Sequence, residues 1–251
     1  MNESMKLKDK IALITGGGKG MGRAIGLAFA TEGADVVVND LDYGNAQNVA
    51  AEIQSLGHQA LANGADVSDS QAVDSMVKQA IDNFGQIDIL VNCAGILLVK
   101  EIGETDDDEW GRVIAVNLNG VFYCTRSVLT HSMLPRQSGK IISFASVTPL
   151  RGEGSVCAYA ASKGGVIGFT KALSREVGRS GINVNAIAPG YIDTDQTKDA
   201  FVDRTREHVM RQITFRRIGV PTDIVGTAVL LASEDSAYMT GQTIIVDGGV
   251  V

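Results

Sequence analysis

Short apolar segments alternate with longer helical ones along nearly the whole chain, and this rhythm limits the possible folds more than any other feature. The strand candidates are Ile11–Ile14, Asp35–Asn39, Gln59–Asn63, Ile87–Asn92, Lys140–Phe144, Ile182–Ile187 and Thr243–Val246. Helical patterns lie between them, near residues 20–32, 43–56, 69–84, 105–134, 155–179 and 221–233. A strand that is apolar throughout is buried on both faces, and strands separated by helices join in parallel through right-handed crossovers. The expected architecture is α/β: a doubly wound, parallel, seven-stranded sheet with helices on both faces. No repeat, low-complexity tract or Pro/Ser-rich linker interrupts the 251 residues, so one domain covering 1–251 is expected. Only residues 189–217 break the rhythm, with a polar stretch where a short strand-to-helix turn belongs. Such an excursion is a substrate-side lid or an extra surface helix, and the sequence leaves both open.

Charge and cysteine usage narrow the function. The net charge of −7 carries no basic footprint for nucleic acid. Cys93, Cys124 and Cys157 form no CxxC pair, and His58, His131 and His208 are equally scattered, so neither a disulfide framework nor a metal site is expected. The opening MNESMKLKDK lacks the apolar core of a signal peptide. No run approaches the roughly 18 apolar residues of a membrane span. These features predict a cytoplasmic protein with no membrane partner. Local helix signals need no functional reading. Thr105 and Asp108 have capping-box spacing, Asp106 to Glu109 suit a helix N-terminus, and Pro221 suits the first turn of the last helix.

The first chemical signal follows the first strand candidate, where Thr15-Gly16-Gly17-Gly18-Lys19-Gly20-Met21-Gly22 runs into a helix. A glycine-rich turn lets backbone approach a pyrophosphate, and the helix N-terminus offers free N–H groups with a positive dipole. The spacing is TGxxxGxG and not the strict GxGxxG. Glycines alone would be weak evidence; their place directly after the first strand gives them weight. Asp40 closes the second strand, 18 residues beyond Gly22, where a carboxylate binds ribose hydroxyls and repels a 2′-phosphate. It favours NAD. Lys19, a cation in the same loop, is the feature that would accommodate NADP.

The second signal is a helical pair. Tyr159 and Lys163 are four residues apart and project from one face. An ammonium beside a phenol is expected to lower the phenol pKa from about 10, tuning it for proton exchange with an alkoxide. Ser146 lies just past a strand, at the carboxyl edge where open α/β sheets bind ligands, and can hold a substrate oxygen against the tyrosine.

Taken in order, TGGGKGMG, Asp40, Ala65-Asp66-Val67, Asn92-Cys93-Ala94-Gly95, Asn117, Ser146, Tyr159-xxx-Lys163 and Pro189-Gly190 resemble the short-chain dehydrogenases/reductases from about residue 7 to the C-terminus. The resemblance implies a three-layer Rossmann fold and a catalytic set of Ser146, Tyr159, Lys163 and Asn117. Tyr159 would be the acid–base and Lys163 would lower its pKa and hold the nicotinamide ribose. Asn117 would support a water relay through Lys163. The cofactor contacts it implies are Gly16, Gly18, Lys19, Gly20, Met21 and Gly22 at the phosphates, and Asp40 at the ribose. Asp66 and Val67 would meet the adenine, with Asn92, Ala94 and Gly95 at the adjoining ribose region. Pro189, Gly190, Ile192 and Thr194 would lie at the nicotinamide end. Plainer roles stay open for Asn92 as a sheet tie, Asn117 as a helix-kink residue and Asp66 as a helix cap.

Cys93 and Met21 depart from the family's usual asparagine and isoleucine, without touching the reaction class. The expected function is hydride transfer between NAD(H) and a small-molecule secondary alcohol or ketone. Close similarity to 3-oxoacyl-carrier-protein reductases, a group that favours NADPH, supplies the alternative, on a carrier-protein or CoA thioester. A cofactor-binding redox-sensing regulator is the non-enzyme rival. Small residues on the Tyr159 helix and the family's habit imply a homotetramer. Leu97, Leu98, Val147, Pro149, Arg151, Glu153, Tyr191 and the segment after Thr194 are the expected substrate pocket.

Overall fold

The computed structural model describes residues 5–195 and 206–251. Seven parallel strands form one sheet: β1 (Ile11–Thr15), β2 (Asp35–Asn39), β3 (Ala60–Asn63), β4 (Ile89–Asn92), β5 (Gly139–Phe144), β6 (Ile182–Pro189) and β7 (Thr243–Val246). Their spatial order is β3-β2-β1-β4-β5-β6-β7. The order reverses between β1 and β4, which pair from Ala12↔Ile89 to Thr15↔Asn92. Side chains alternate across the pleat, and both sides are apolar. Ile14, Val38, Val91 and Ile142 enter one core with Ile25, Phe29 and Ile53. Leu13, Val37, Leu90 and Ile141 enter the other with Met76, Val128 and Leu173. This double burial is why the strands read as unbroken apolar runs, and it bears out the doubly wound expectation.

Helices α1 (Gly20–Thr31), α2 (Tyr43–Ser55) and α3 (Ser70–Phe84) link the first strands. The helical pattern near 105–134 is one run with two irregularities. It passes from α4 (Asp107–Ile114) through a π-helical stretch (Ala115–Asn119) into α5 (Gly120–Val128). A second π-helical stretch (Leu129–Met133) leads into α6 (Leu134–Arg136). After β5 come α7 (Thr148–Arg151) and the long α8 (Cys157–Val177), and beyond β6 lie α9 (Arg206–Gln212) and α10 (Thr222–Ala232).

Several local expectations change. Gln59 and Ile87 fall outside their strands, the Gln59 N–H donating to the Asp35 side chain and the Ile87 N–H to Ser132 Oγ. The capping box is Asp106 with Glu109, one residue later than the Thr105–Asp108 pair. Thr105 turns back to the Glu101 carbonyl. Asp69, not Asp66, caps α3, because Asp66 folds onto Ser68. Part of the excursion at 189–217, residues 196–205, lies outside the described residues. Its described flanks include α9, where Val209 packs with Ile213 and Ile218, and Arg206 pairs with Asp193 at 3.0 Å. No helix among the described residues is long and apolar enough to cross a membrane.

Capping-box geometry predicts that Asp106→Ala lowers unfolding free energy by about 1 kcal/mol. Thr105→Ala should change it by less than half as much. Urea denaturation of both variants checks the placement, and the reverse ranking would contradict it.

Candidate active site

A cleft of about 930 Å³ opens at the carboxyl edge of the sheet, over the β1/β4 reversal. Gly16, Lys19, Gly20, Met21 and Gly22 form one wall, and Asp40, Leu41, Asp66, Val67 and Ser68 another. Ala94, Gly95 and Thr194 line it on the β4 and β6 sides. The loop packs on itself so tightly that a Cβ at Gly22 would sit 2.1 Å from the Gly16 oxygen, and one at Gly16 would sit 2.8 Å from the Ala94 backbone. Gly16 also has φ +62°, a left-handed backbone that suits glycine. Compression of this kind leaves main chain, not side chains, at the cleft wall in front of the α1 N-terminus. Such a cradle fits a dinucleotide pyrophosphate.

Asp40 is held in place before any ligand meets it. Its Oδ2 accepts the Gly18 N–H at 3.0 Å and its Oδ1 accepts the Asp42 N–H at 3.0 Å. Gly18 therefore serves the site through this bond and does not line the cleft. Lys19 lines the cleft but is exposed.

A smaller pocket of about 70 Å³ adjoins the cleft and shares Met21, Cys93, Gly95 and Thr194 with it. Phe144, Ala145, Ser146, Tyr159, Lys163, Pro189, Gly190 and Ile192 complete its lining. The structure thus brings together the serine, tyrosine and lysine that the sequence spreads over three segments. The Lys163 ammonium lies 5.8 Å from the Tyr159 ring centre and donates to the Phe144 carbonyl at 2.7 Å. The Tyr159 phenol faces Ser146 closely enough for the serine to oppose the effect of burial on its pKa. Ser146 Oγ also contacts Thr148 Oγ1 at 3.0 Å and accepts the Thr148 N–H at 3.1 Å.

Comparison with known proteins agrees with this geometry. Residues 16–251 match the family described as enoyl-(acyl carrier protein) reductase. A (2S)-[(R)-hydroxy(phenyl)methyl]succinyl-CoA dehydrogenase subunit, BbsD of Thauera aromatica, is 40% identical, the alignment covering 98% of each chain. A 3-oxoacyl-[acyl-carrier-protein] reductase of Staphylococcus aureus is 43% identical over 96% of this chain and 98% of its own. The crystal structure of a short-chain type dehydrogenase/reductase from Mycobacterium marinum superposes with a TM-score of 0.93 at 34% identity, covering 99% and 98% of the two chains. The chain belongs to the short-chain dehydrogenase/reductase family. It is an oxidoreductase of the NAD(P)-using kind that acts between a hydroxyl and a keto group.

Two expected contacts take other positions in this dehydrogenase/reductase. Asn92 lines neither cavity; its amide donates to Thr125 Oγ1 and Ser143 Oγ, tying β4 to β5 and α5. That is the sheet-tie role. Asn117 sits in the first π-helical stretch, the kink position, and is fully buried. Its side chain accepts from the Ile96 N–H at 2.8 Å and donates to the Ile96 carbonyl at 2.9 Å and to Ser162 Oγ at 3.1 Å. A Cβ on Gly95 would meet both Asn117 Oδ1 and Lys163 Nζ, at 3.3 and 3.4 Å, so the two side chains converge on the bare face of Gly95.

The electrostatics correct one expectation outright. Tyr159 is part-buried against the pocket, and withdrawal from water raises its pKa; the Ser146 side chain opposes this, and Cys93 adds slightly to it. Lys163 does not lower it, because the ammonium is itself buried and committed to the Phe144 carbonyl. Burial pulls Lys163 down from its ordinary 10.5 to about 8. Burial also pushes the Cys93 thiol up to about 12, which disfavours its thiolate.

Three contributors were invisible beforehand. Thr15 Oγ1 accepts the Cys93 and Ala94 N–H groups at 3.2 Å each, stitching β1 to the cleft wall. Thr148 braces Ser146, and only its spacing from that serine hints at it. The Phe144 carbonyl is a backbone atom with no sequence signature.

A depressed lysine pKa has a stability consequence. Between pH 8 and 10.5 the unfolded chain holds a proton at Lys163 that the folded chain lacks, so rising pH favours folding through that window. The burial cost is present in full below pH 8. Lys163→Met removes the group, so its stability advantage over wild type should shrink by roughly 3 kcal/mol from pH 7.5 to 10.5. Denaturation of the nucleotide-free proteins across that range tests it; a constant difference would refute the burial assignment.

Proposed function

We propose that this protein interconverts a secondary alcohol and a ketone with NAD(H) in preference to NADP(H), using Tyr159 as the acid–base. The single pocket that joins Ser146, Tyr159 and Lys163 to the glycine-loop cleft is what carries this reading. A bound reduced nicotinamide would supply the hydride to the carbonyl carbon. Everything else falls to the chain. Ser146 holds the carbonyl oxygen, aligned by its bonds to Thr148. Tyr159 donates its hydroxyl proton to that oxygen as negative charge develops there, and in the oxidative direction takes the proton back. Lys163 holds its positive charge beside the phenol ring, and Asn117 keeps the lysine side of the site in register, the place from which a water relay would start.

The NAD preference rests on Asp40. Its carboxylate is fixed by two backbone donors, whereas Lys19 is exposed and its charge is weakened by solvent. A 3-oxoacyl thioester reductase using NADPH is the reading favoured by similarity to the Staphylococcus aureus reductase. The intact proton-transfer pair speaks against a redox-sensing regulator. We also place the chain in a homotetramer, supported by the small residues Ala160, Ala161 and Gly168 on α8 and by exposed Phe122 and Trp110 on the α4–α5 run. Sedimentation at one protomer's mass would overturn it.

Steady-state assays of a panel of alcohols and ketones with both cofactors test the reaction. NAD(H) should give the higher kcat/KM, and a strong NADP(H) preference would hand the case to the thioester reductase. Tyr159→Phe should lower kcat by at least about 100-fold with little change in nucleotide affinity. A raised phenol pKa keeps the proton on Tyr159 at neutral pH. Ketone reduction should therefore be flat from pH 6 to 8, while alcohol oxidation climbs as pH rises. Oxidation that falls with pH would exclude Tyr159 as the base.

A further inference from the structure

We propose that Arg151 determines specificity at this site by taking a carboxylate on the substrate, which makes the natural substrate a small hydroxy or oxo acid. The inference rests on the alcohol–ketone reading above and deepens it.

Arg151 is the last residue of α7, the short helix that opens at Thr148, the residue braced against Ser146. About one helical turn therefore separates the serine's brace from the arginine. The guanidinium is tied to two other segments. Nη1 donates to the Tyr191 hydroxyl at 3.0 Å, Nη2 donates to Gln212 Oε1, and the guanidinium carbon lies 5.7 Å from the Tyr191 ring centre. Tyr191 directly follows Pro189 and Gly190, which line the pocket of Ser146 and Tyr159. Chain segments after β5 and β6, together with α9, thus meet on one part-buried cation.

Its charge is what remains unexplained by packing. Both hydrogen-bond acceptors are neutral, a phenol and an amide. Glu153 belongs to the same cluster, but it accepts from the Tyr191 hydroxyl at 3.3 Å and makes no ion pair with Arg151. Among the described residues, four other arginines pair with carboxylates, Arg23 with Glu52, Arg136 with Asp88, Arg206 with Asp193 and Arg217 with Asp223, whereas Arg151 is held by side chains from two other segments with no carboxylate on it. A guanidinium has five N–H donors, and two anchoring bonds leave the rest, with the full positive charge, for a planar anion. Neutral partners orient this part-buried cation without cancelling its charge, and an arriving carboxylate would cancel it.

Calorimetric titration of the NADH-loaded enzyme with butanoate and with butanamide, which differ in charge and little in shape, tests this directly. Wild type should bind butanoate at least about tenfold more tightly. Arg151→Met should abolish the difference and Arg151→Lys should keep part of it, with NADH affinity and melting midpoint reporting that each variant is folded. If Arg151→Met loses NADH binding, Arg151→Gln, which retains a donor for Tyr191, removes the charge in its place. Tyr159→Phe should keep the butanoate preference while losing turnover, so failure of the acid–base assignment and failure of this proposal give different results. Equal binding of the two probes by wild type, binding of neither, or a preference that survives removal of the Arg151 charge would overturn it.

Discussion

Every functional feature of this chain depends on one topological fact: β2 and β4 flank β1, and the loops leaving β1 and β4 part in opposite directions. A crevice must open there, because no helix can cover both departures. The chain lines that crevice with backbone. Gly22 abuts Gly16, Gly16 abuts the Ala94 main chain, and Thr15 ties the Cys93 and Ala94 amides to the end of β1. The wall is therefore rigid without bulky groups, and the α1 N-terminus faces the cleft unobstructed. Asp40, clamped by the Gly18 and Asp42 amides, adds a fixed negative charge at its rim.

Next to this main-chain cradle, the reacting pocket is governed by desolvation. Tyr159 and Lys163 are close enough to interact, yet burial moves the phenol up and the ammonium down. Each shift favours a neutral form, as expected where walls exclude water faster than partners replace it. The Phe144 carbonyl is the main compensation for the ammonium, and Ser146 for the phenol. A protonated tyrosine and a lysine poised near neutrality are suited to delivering a proton first and recovering it afterwards. The pair is arranged as an acid at rest.

The sheet could be read in the sequence because two-sided burial writes the inner strands as uninterrupted apolar runs; the bounds of β2 and of the part-exposed edge strand β7 match to the residue. The glycine loop, Asp40, Ser146, Tyr159 and Lys163 were legible because each needs a particular residue type at a particular sheet edge. What escaped was whatever depends on exposure or on backbone atoms. Desolvation reversed the expected direction for Tyr159, since spacing reports that two groups are neighbours and says nothing about the water they lose. Asn92 has the motif position of a cofactor contact but turns inward to Thr125 and Ser143. The capping box slipped by one residue because Thr105 and Asp106 are equally good caps in isolation, and only the hydrogen bond from Thr105 to Glu101 decides between them.

A division of labour explains why the reaction class is clear from these elements while selectivity sits elsewhere. The nucleotide side is made of strand ends and glycines, whose geometry tolerates few substitutions: any side chain at Gly22 collides with backbone. The proposed substrate side is made of side chains on α7, on the turn after β6 and on α9, joined by Arg151, Tyr191 and Gln212. Those contacts can be exchanged without moving a strand, because none of the three residues contributes to the sheet cores. Selectivity can therefore change by replacing the groups around Arg151 while Ser146, Tyr159 and Lys163 keep their places. On the carboxylate proposal, the charge held at Arg151 answers to the substrate, and the pocket of Ser146, Tyr159 and Lys163 answers to the reaction.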